Sequence, residues 1–307
     1  VVGLTRRVDD NGMYTVENLG MPAFNFSKDT FVVCVTSNVG DTTYFSEEIA
    51  PDLYDTTDSV LNEAVRARND LIFEQYGVTI EAYAVNNVAN TVSQDSTAGT
   101  ATYDAAMPFM GQAAPLAQQN MLYDLKEFTD YIHLDAPWWD QVFQEEMTMG
   151  GKLYFTIGDI GTINKSSTAA LTFNKQMYSD YGMIEKYGGT IYDLVREGKW
   201  TLDLAIEMTR SISQDMNDDG VINYKDLVGW SGQLDDMWSL FYGSGSKLAS
   251  TDTADGYPVL TAYTQRSAAV MEKMQTLVQD DRSYLSANDY FSVTSWPSSL
   301  LLKNFIA

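Results

Sequence analysis

Strand, helix and strand follow one another between Phe31 and Val85, and this alternation constrains the chain more than any other feature. Phe31-Val-Val-Cys-Val35 is an unbroken β-prone apolar run, the pattern of a strand covered on both faces in a parallel or mixed sheet. Val60, Ala64, Ala67 and Leu71 then recur at three- and four-residue spacing. That spacing predicts an amphipathic helix over 60–75, which Gly77 stops. Val78 to Val85 returns to strand-like alternation. A helix between two strands that need cover on both faces defines the α/β class.

The same reading carries along the chain. Residues 86–100 are rich in Asn, Ser and Thr, and 103–109 reads as a short strand leading to a loop at Gly111. A compact helix is expected over 114–119. Asp135-Ala-Pro-Trp-Trp-Asp140 opens another helix, 150–158 is a turn feeding a strand, and 169–175 is a further short strand before a helix begins at Gln176. Thr201 is the N-cap, with Asp203 in the first turn, of a helix that places Leu204, Ala205, Met208 and Ile212 on one face. Residues 266–278 form a similar helix. The Gly/Ser/Asp-rich stretch from Trp230 to Tyr242 is expected to be loop.

Composition narrows function by exclusion. With 19 Lys plus Arg against 42 Asp plus Glu, the net charge is −23, which argues against nucleic acid and anionic membrane surfaces as partners. The single cysteine, Cys34, permits no intrachain disulfide and reads as a small buried hydrophobe. No run of eighteen apolar residues and no signal-peptide centre is present. His133 is the only histidine, and no His-Glu-x-x-His, P-loop or Gly-x-Gly-x-x-Gly pattern occurs. Glu145, Glu146 and Asp159 make no glycosidase pair without a measured separation. The weight falls on binding rather than catalysis. A carbohydrate-active hydrolase and a calcium-stabilised adhesion or scaffold module are the alternatives.

The sharpest local motif is Asp215-Met-Asn217-Asp-Asp219-Gly220-Val221-Ile-Asn223-Tyr-Lys-Asp226. Oxygen-bearing side chains at positions 1, 3, 5, 9 and 12 surround a glycine at 6, the pattern of a twelve-residue calcium loop in which the position 7 carbonyl, here Val221, also points inward. Asp215, Asn217, Asp219, Val221, Asn223 and Asp226 are therefore the candidate ligands of a structural Ca2+. Aspartate at position 12 is shorter than the usual glutamate, so weak binding is expected. One loop within a large α/β chain is a structural clip rather than a sensor.

Aromatic supply suggests a ligand. Six Trp, 19 Tyr and 13 Phe exceed what two modest cores require, and flat rings stack on the apolar faces of sugars while Asp and Asn bond the hydroxyls. Trp230, Trp238 and Trp296 are the tryptophans expected to reach a ligand. Of the adjacent Trp138 and Trp139, at least one is expected to be a packing anchor.

In order and spacing, several segments resemble the extracellular solute-binding proteins of ABC importers, family 1 carbohydrate type, found as lipoproteins of Gram-positive bacteria. They are 60–69 before Tyr76-Gly-Val-Thr-Ile80, 116–125, Pro137-Trp-Trp139, Gly151 to Phe155 with Gly158-Asp159, Phe173 to Gly182, and 192–201 leading to the 215–226 loop. The resemblance implies a periplasmic-binding-protein-like fold, type II-like, with two α/β lobes around a ligand cleft joined by hinge crossings. Residues 1–28 mix Asp, Asn and Gly with isolated apolar positions and read as an N-terminal extended arm; the resemblance, which runs from about Phe31 to Trp296, assigns 29–170 to the first lobe, 171–290 to the second lobe with its 215–226 loop, and 291–307 to an incomplete segment returning toward the first. It implies a monomeric, non-enzymatic receptor that captures a neutral carbohydrate or oligosaccharide and delivers it to the transmembrane permease. Asn38, Met110 and Asp159 would come from the first lobe, Trp230 and Trp238 from the second, and Trp296 from the returning segment. The implied location is extracellular, as the mature part of a cell-surface lipoprotein. The family's lipobox cysteine is not in this sequence, so any lipid anchor would lie outside it.

Overall fold

The computed structural model describes residues 30–37, 48–49, 59–100, 102–162, 167–280, 282 and 284–293. The arm 1–28 and residues 294–307 lie outside the described residues. The fold is mixed α/β with small open sheets, and the chain divides into two compact units, Val1–Ser167 and Thr168–Ala307.

The first unit opens with β1 (Thr30–Thr36), α1 (Ser59–Tyr76), β2 (Thr79–Val85), α2 (Val88–Ala98), β3 (Ala105–Ala106) and α3 (Met110–Gln118). β1 pairs in parallel with β2 along its whole length and with β3 at Val33 and Cys34, so it is the central strand of the order β2-β1-β3. Its unbroken apolar run is explained by that place. Cys34 packs with Val88, Val92 and Leu116, while its neighbours Val33 and Val35 pack with Ile49. Successive strand residues point to opposite faces, and both faces are covered.

Burial, aided by the Asp95 charge, pushes the Cys34 thiol up to about 11. The thiolate is the nucleophile, so Cys34 of the native protein is expected to resist a thiol reagent at neutral pH and to react once denatured. Fast labelling of folded protein would contradict this packing.

α2 arises where the sequence shows only Asn, Ser and Thr: Asn87 accepts the Asn90 amide as N-cap, and Gly99 closes the helix in the left-handed region. α3 starts at Met110, earlier than the sequence predicts, and carries Gly111, where the sequence predicts a loop. A 3₁₀ turn (Leu125–Phe128), α4 (Thr129–Ile132) and α5 (Gln141–Met147) follow, α5 capped by Asp140. The strand expected within 150–158 is replaced by two isolated bridges, Met149 with Lys152 and Trp139 with Gly158. Trp139 is a packing anchor whose Nε1 donates to the Ile132 carbonyl at 2.9 Å.

The second unit contains α6 (Lys175–Asp180), α7 (Met183–Tyr187), α8 (Ile191–Arg196), α9 (Leu202–Ile212), β4 (Ser231–Gly232), α10 (Asp236–Gly243), β5 (Ala249–Ser250), β6 (Val259–Leu260), α11 (Gln265–Val278) and β7 (Leu285–Ser286). Residues 169–174 form no ladder; they run irregularly and mostly exposed into α6. Propensity alone does not supply a pairing partner. Thr201 caps α9 by accepting the Leu204 amide, and α9 and α11 meet around Ile206, Leu277 and Tyr284, joined by Leu202, Trp230, Met237 and Leu240. β4 pairs in parallel with β7, and β5 pairs antiparallel with β6. Among the described residues no helix is long and apolar enough to cross a membrane.

Candidate functional site

The second unit holds the two features with most chemical content, and one stretch of chain connects them. α9 ends at Ile212, and Gln214 then forms an antiparallel bridge with Leu227, its amide and carbonyl both bonded across at 2.9 and 3.1 Å. Between these two residues lies the 215–226 loop. Asp215 Oδ2 accepts the Gly220 amide at 2.7 Å and Oδ1 accepts the Asn217 amide at 3.2 Å. Gly220 makes the return possible at φ +83°, a region costly for any residue with a Cβ. These N–H donors hold the Asp215 carboxyl below the usual carboxylate range, with the Gly220 bond foremost.

The six candidate ligands are neighbours. Asn217 donates through Nδ2 to Asp219 Oδ2 at 2.9 Å, Asn223 donates through Nδ2 to the Val221 carbonyl at 3.1 Å, and Asp226 accepts the Met216 and Asn223 amides on its two oxygens at 3.0 and 2.9 Å. Every candidate donor atom is oxygen, which matches a hard cation. The set mixes three carboxylates with amides and a backbone carbonyl. Among the described residues no three His, Cys, Asp or Glu side chains form a metal-binding group by themselves.

Beyond the loop, the Gly229 amide donates to Ser213 Oγ at 2.8 Å, and its Cα lies against α9. A Cβ at Gly229 would stand 2.2 Å from the Thr209 carbonyl oxygen and 2.5 Å from its Cα. Since neither backbone atom can rotate away, Gly229→Ala is expected to destabilise the second unit by about 1–3 kcal/mol. A urea melt followed by tryptophan fluorescence measures it; an unchanged midpoint would contradict the close approach. Trp230 follows directly. Its carbonyl accepts the Leu285 amide at 2.8 Å and its half-buried ring packs against the Ile206, Leu277 and Tyr284 core.

Trp238 has a different environment. It lies on α10, a helix where the sequence suggested a loop, and it is 49% exposed. Tyr242, one turn further, is 52% exposed. Their ring centroids are 6.2 Å apart with planes inclined by 31°. Both rings also rest on the fully buried Phe241 in edge-to-face contacts. The result is a shallow aromatic platform on a buried base. Tyr242 is not among the candidates that the sequence supplies; its i, i+4 spacing from Trp238 becomes a signal only with 236–243 as a helix.

Hydrogen bonds hold α10 at both ends. Asp236 Oδ2 accepts the Gln233 amide at 2.8 Å, Asn288 Oδ1 accepts the Leu234 amide at 2.8 Å, and the Tyr284 hydroxyl donates to the Gln233 carbonyl at 3.0 Å. Burial, with Asp236, Asp235 and Asp289 nearby, pushes the Tyr284 hydroxyl well above its ordinary value, so it remains a donor. At the other end Ser244 Oγ donates to the Phe241 carbonyl at 2.6 Å, and the Arg266 guanidinium donates to the Ser244 carbonyl.

The remaining candidates are dispersed. Met110 is the exposed first residue of α3. Asp159 is exposed in the turn after Gly158, its amide donating to the Trp138 carbonyl at 2.8 Å. Asn38 and Trp296 lie outside the described residues. A groove of about 400 Å³ is lined by Lys186, Asp203, Ile206, Glu207, Arg210, Ser211 and Thr276. Its charges are paired: Lys186 with Glu207 at 3.9 Å, Lys273 with Asp203, and Arg210 with Asp280.

No protein-family model matches the chain, and none of the curated proteins compared with it does.

Proposed function

We propose that the chain is the substrate-binding component of an ABC importer, a receptor that takes a neutral carbohydrate or oligosaccharide between two α/β lobes and delivers it to the transmembrane permease. The observation that carries this reading is the Trp238–Tyr242 platform: two flat, half-exposed rings held in place by a buried phenylalanine and by bonds at both ends of their helix. Pre-positioned aromatic faces gain contact area without the entropy of ordering them. Acidic neighbours at Asp235 and Asp236 suit hydroxyl groups and disfavour anionic sugars. The ordered resemblance from Phe31 to Trp296 and the division into two compact units support the same reading.

The proposal includes Ca2+ as a structural ion in the 215–226 loop, held by Asp215, Asn217, Asp219, Asn223 and Asp226 and by the Val221 carbonyl. It would clip the connection between α9 and β4. An extracellular setting, a lipid anchor outside this sequence and a monomeric state belong to the same reading.

The test is a calorimetric titration of the chain, with calcium present, against a panel of neutral oligosaccharides, followed by analysis of the sugars for cleavage. Saturable binding with intact sugar is expected. No heat from any member of the panel sinks the carbohydrate reading, and cleavage replaces the receptor with a hydrolase.

A further inference from the structure

A short turn touches both the 215–226 loop and the start of the helix that carries the aromatic platform. After β7 the chain enters a 3₁₀ turn (Ala287–Tyr290). Its first residue, Ala287, is fully buried beside Leu285, and Tyr224, Val228 and Tyr290 pack against the pair. On the loop side the Tyr290 ring meets the Tyr224 ring edge to face, with centroids 5.2 Å apart and planes inclined by 77°. On the platform side Asn288 Oδ1 accepts the Leu234 amide at 2.8 Å, just ahead of α10.

Both contacts fall where order is transmitted. Tyr224 is position 10 of the loop, between the candidate ligands Asn223 and Asp226. Asp226 Oδ2 accepts the Asn223 amide at 2.9 Å, so the loop closes around the tyrosine's backbone. An ion held by Asn223 and Asp226 takes freedom from both, and from the residue between them. At the other contact, α10 begins without a capping bond from its own N-cap side chain, Asp235. The amides just ahead of it are held instead by Asp236, within the helix, and by Asn288, from the turn.

We propose that Asn288 and Tyr290 are positioning residues through which the 215–226 loop, when it holds calcium, fixes the start of α10 and with it Trp238 and Tyr242. A ligand that meets an already ordered surface pays less to order it, so calcium and sugar raise each other's affinity, by one and the same factor. This inference rests on the calcium and carbohydrate readings above and adds that the two sites are coupled.

Hydrogen exchange read by mass spectrometry over 233–243, in calcium and in chelator, tests the coupling without any sugar. Calcium is expected to slow exchange at the start of α10 by about fivefold, the lower end of coupling between sites. Tyr290→Leu removes the ring contact and is expected to abolish the slowing, whereas Tyr290→Phe keeps a ring and is expected to retain it. Asn288→Ala, at an exposed residue, removes the acceptor and is also expected to abolish it. Calorimetry with calcium and a thermal melt accompany each variant, so that loss of ion binding or of folding is seen directly. Affinity for the sugar found in the panel titration is expected to rise in calcium by the same factor, and in folded Tyr290→Leu and Asn288→Ala to be indifferent to calcium. A wild-type chain that binds calcium with no change in exchange overturns the proposal. Slowing of equal size in the wild type and in the folded variants also overturns it, since calcium would then stabilise the unit as a whole rather than through the turn. Absence of calcium binding brings down the loop reading and this inference together. Absence of sugar binding brings down the carbohydrate reading alone, and the exchange result still decides the coupling.

Discussion

Replacing Trp238 with alanine is expected to lower affinity for a neutral oligosaccharide by at least about thirtyfold, the equivalent of roughly 2 kcal/mol for an aromatic anchor at the centre of a binding surface. The cost to folding is expected to be small, because the ring is half exposed and Phe241 beneath it carries the burial. That separation makes the experiment informative. Trp238→Phe keeps a flat ring at the same place and should retain most of the affinity, whereas Tyr242→Ala should lose part of it. Phe241→Ala is a different kind of change: removal of a fully buried phenylalanine costs about 3–5 kcal/mol of stability, and both rings lose their support. Calorimetry reads affinity and a thermal melt reads stability. Unaltered sugar binding by folded Trp238→Ala would remove the platform from the site and leave the carbohydrate proposal without its main support.

The elements legible in the sequence are those whose cause is local. β1, α1 and β2 stand where an apolar run, a helical period and an alternating segment place them, and the central position of β1 follows from covering two faces. The Thr201 cap also read well, and the helix expected after 135–140 begins with Asp140 as its N-cap. What was not legible depends on partners elsewhere in the chain. α2 has a polar sequence and becomes a helix because Asn87 and Gly99 bound it while Val88 and Val92 reach the Cys34 core. The strands expected at 150–158 and 169–175 have β-prone residues but gain no ladder, since a strand exists only through its neighbour.

The site divides in the same way. That 215–226 makes a tight turn around Gly220 is legible in the sequence, because its Asx bonds are made within a few positions of each other. The two tryptophans were not equally legible. Trp230 and Trp238 lie in one Gly/Ser/Asp-rich stretch, yet Gly229 draws Trp230 in against α9 and its core while α10 turns Trp238 outward. A glycine's close approach to a distant backbone leaves no trace in periodicity. Tyr242 is hidden in the sequence for a related reason: it neighbours Trp238 only through a shared helix face, and the glycines and serines around α10 mask that helix.

Calcium is expected to stabilise the protein, and its removal by a chelator to lower the midpoint of the second unit's thermal transition by about 5–10 °C. The figure follows from linkage: an ion present at a hundred times its dissociation constant adds about 2.7 kcal/mol to a state that alone binds it, which in a unit of this size moves the midpoint by a few degrees per kcal/mol. Asp215→Asn combined with Asp219→Asn removes two of the three candidate carboxylates and should abolish the difference between calcium and chelator. Asp226→Glu acts in the opposite direction, since the longer side chain has the reach for two-oxygen contact that aspartate lacks, and calcium should bind it more tightly. Magnesium, which keeps its water and demands a tighter octahedron, should stabilise less than calcium at equal concentration. The bridge between Gln214 and Leu227 and the packing of Gly229 on α9 connect loop order to the Trp230 core. The transition that responds should therefore be the one that changes tryptophan fluorescence. Identical melts in calcium and in chelator would mean that the loop is held by its own N–H to carboxylate bonds, with Gly220 and Asp215 forming a closed turn that needs no ion.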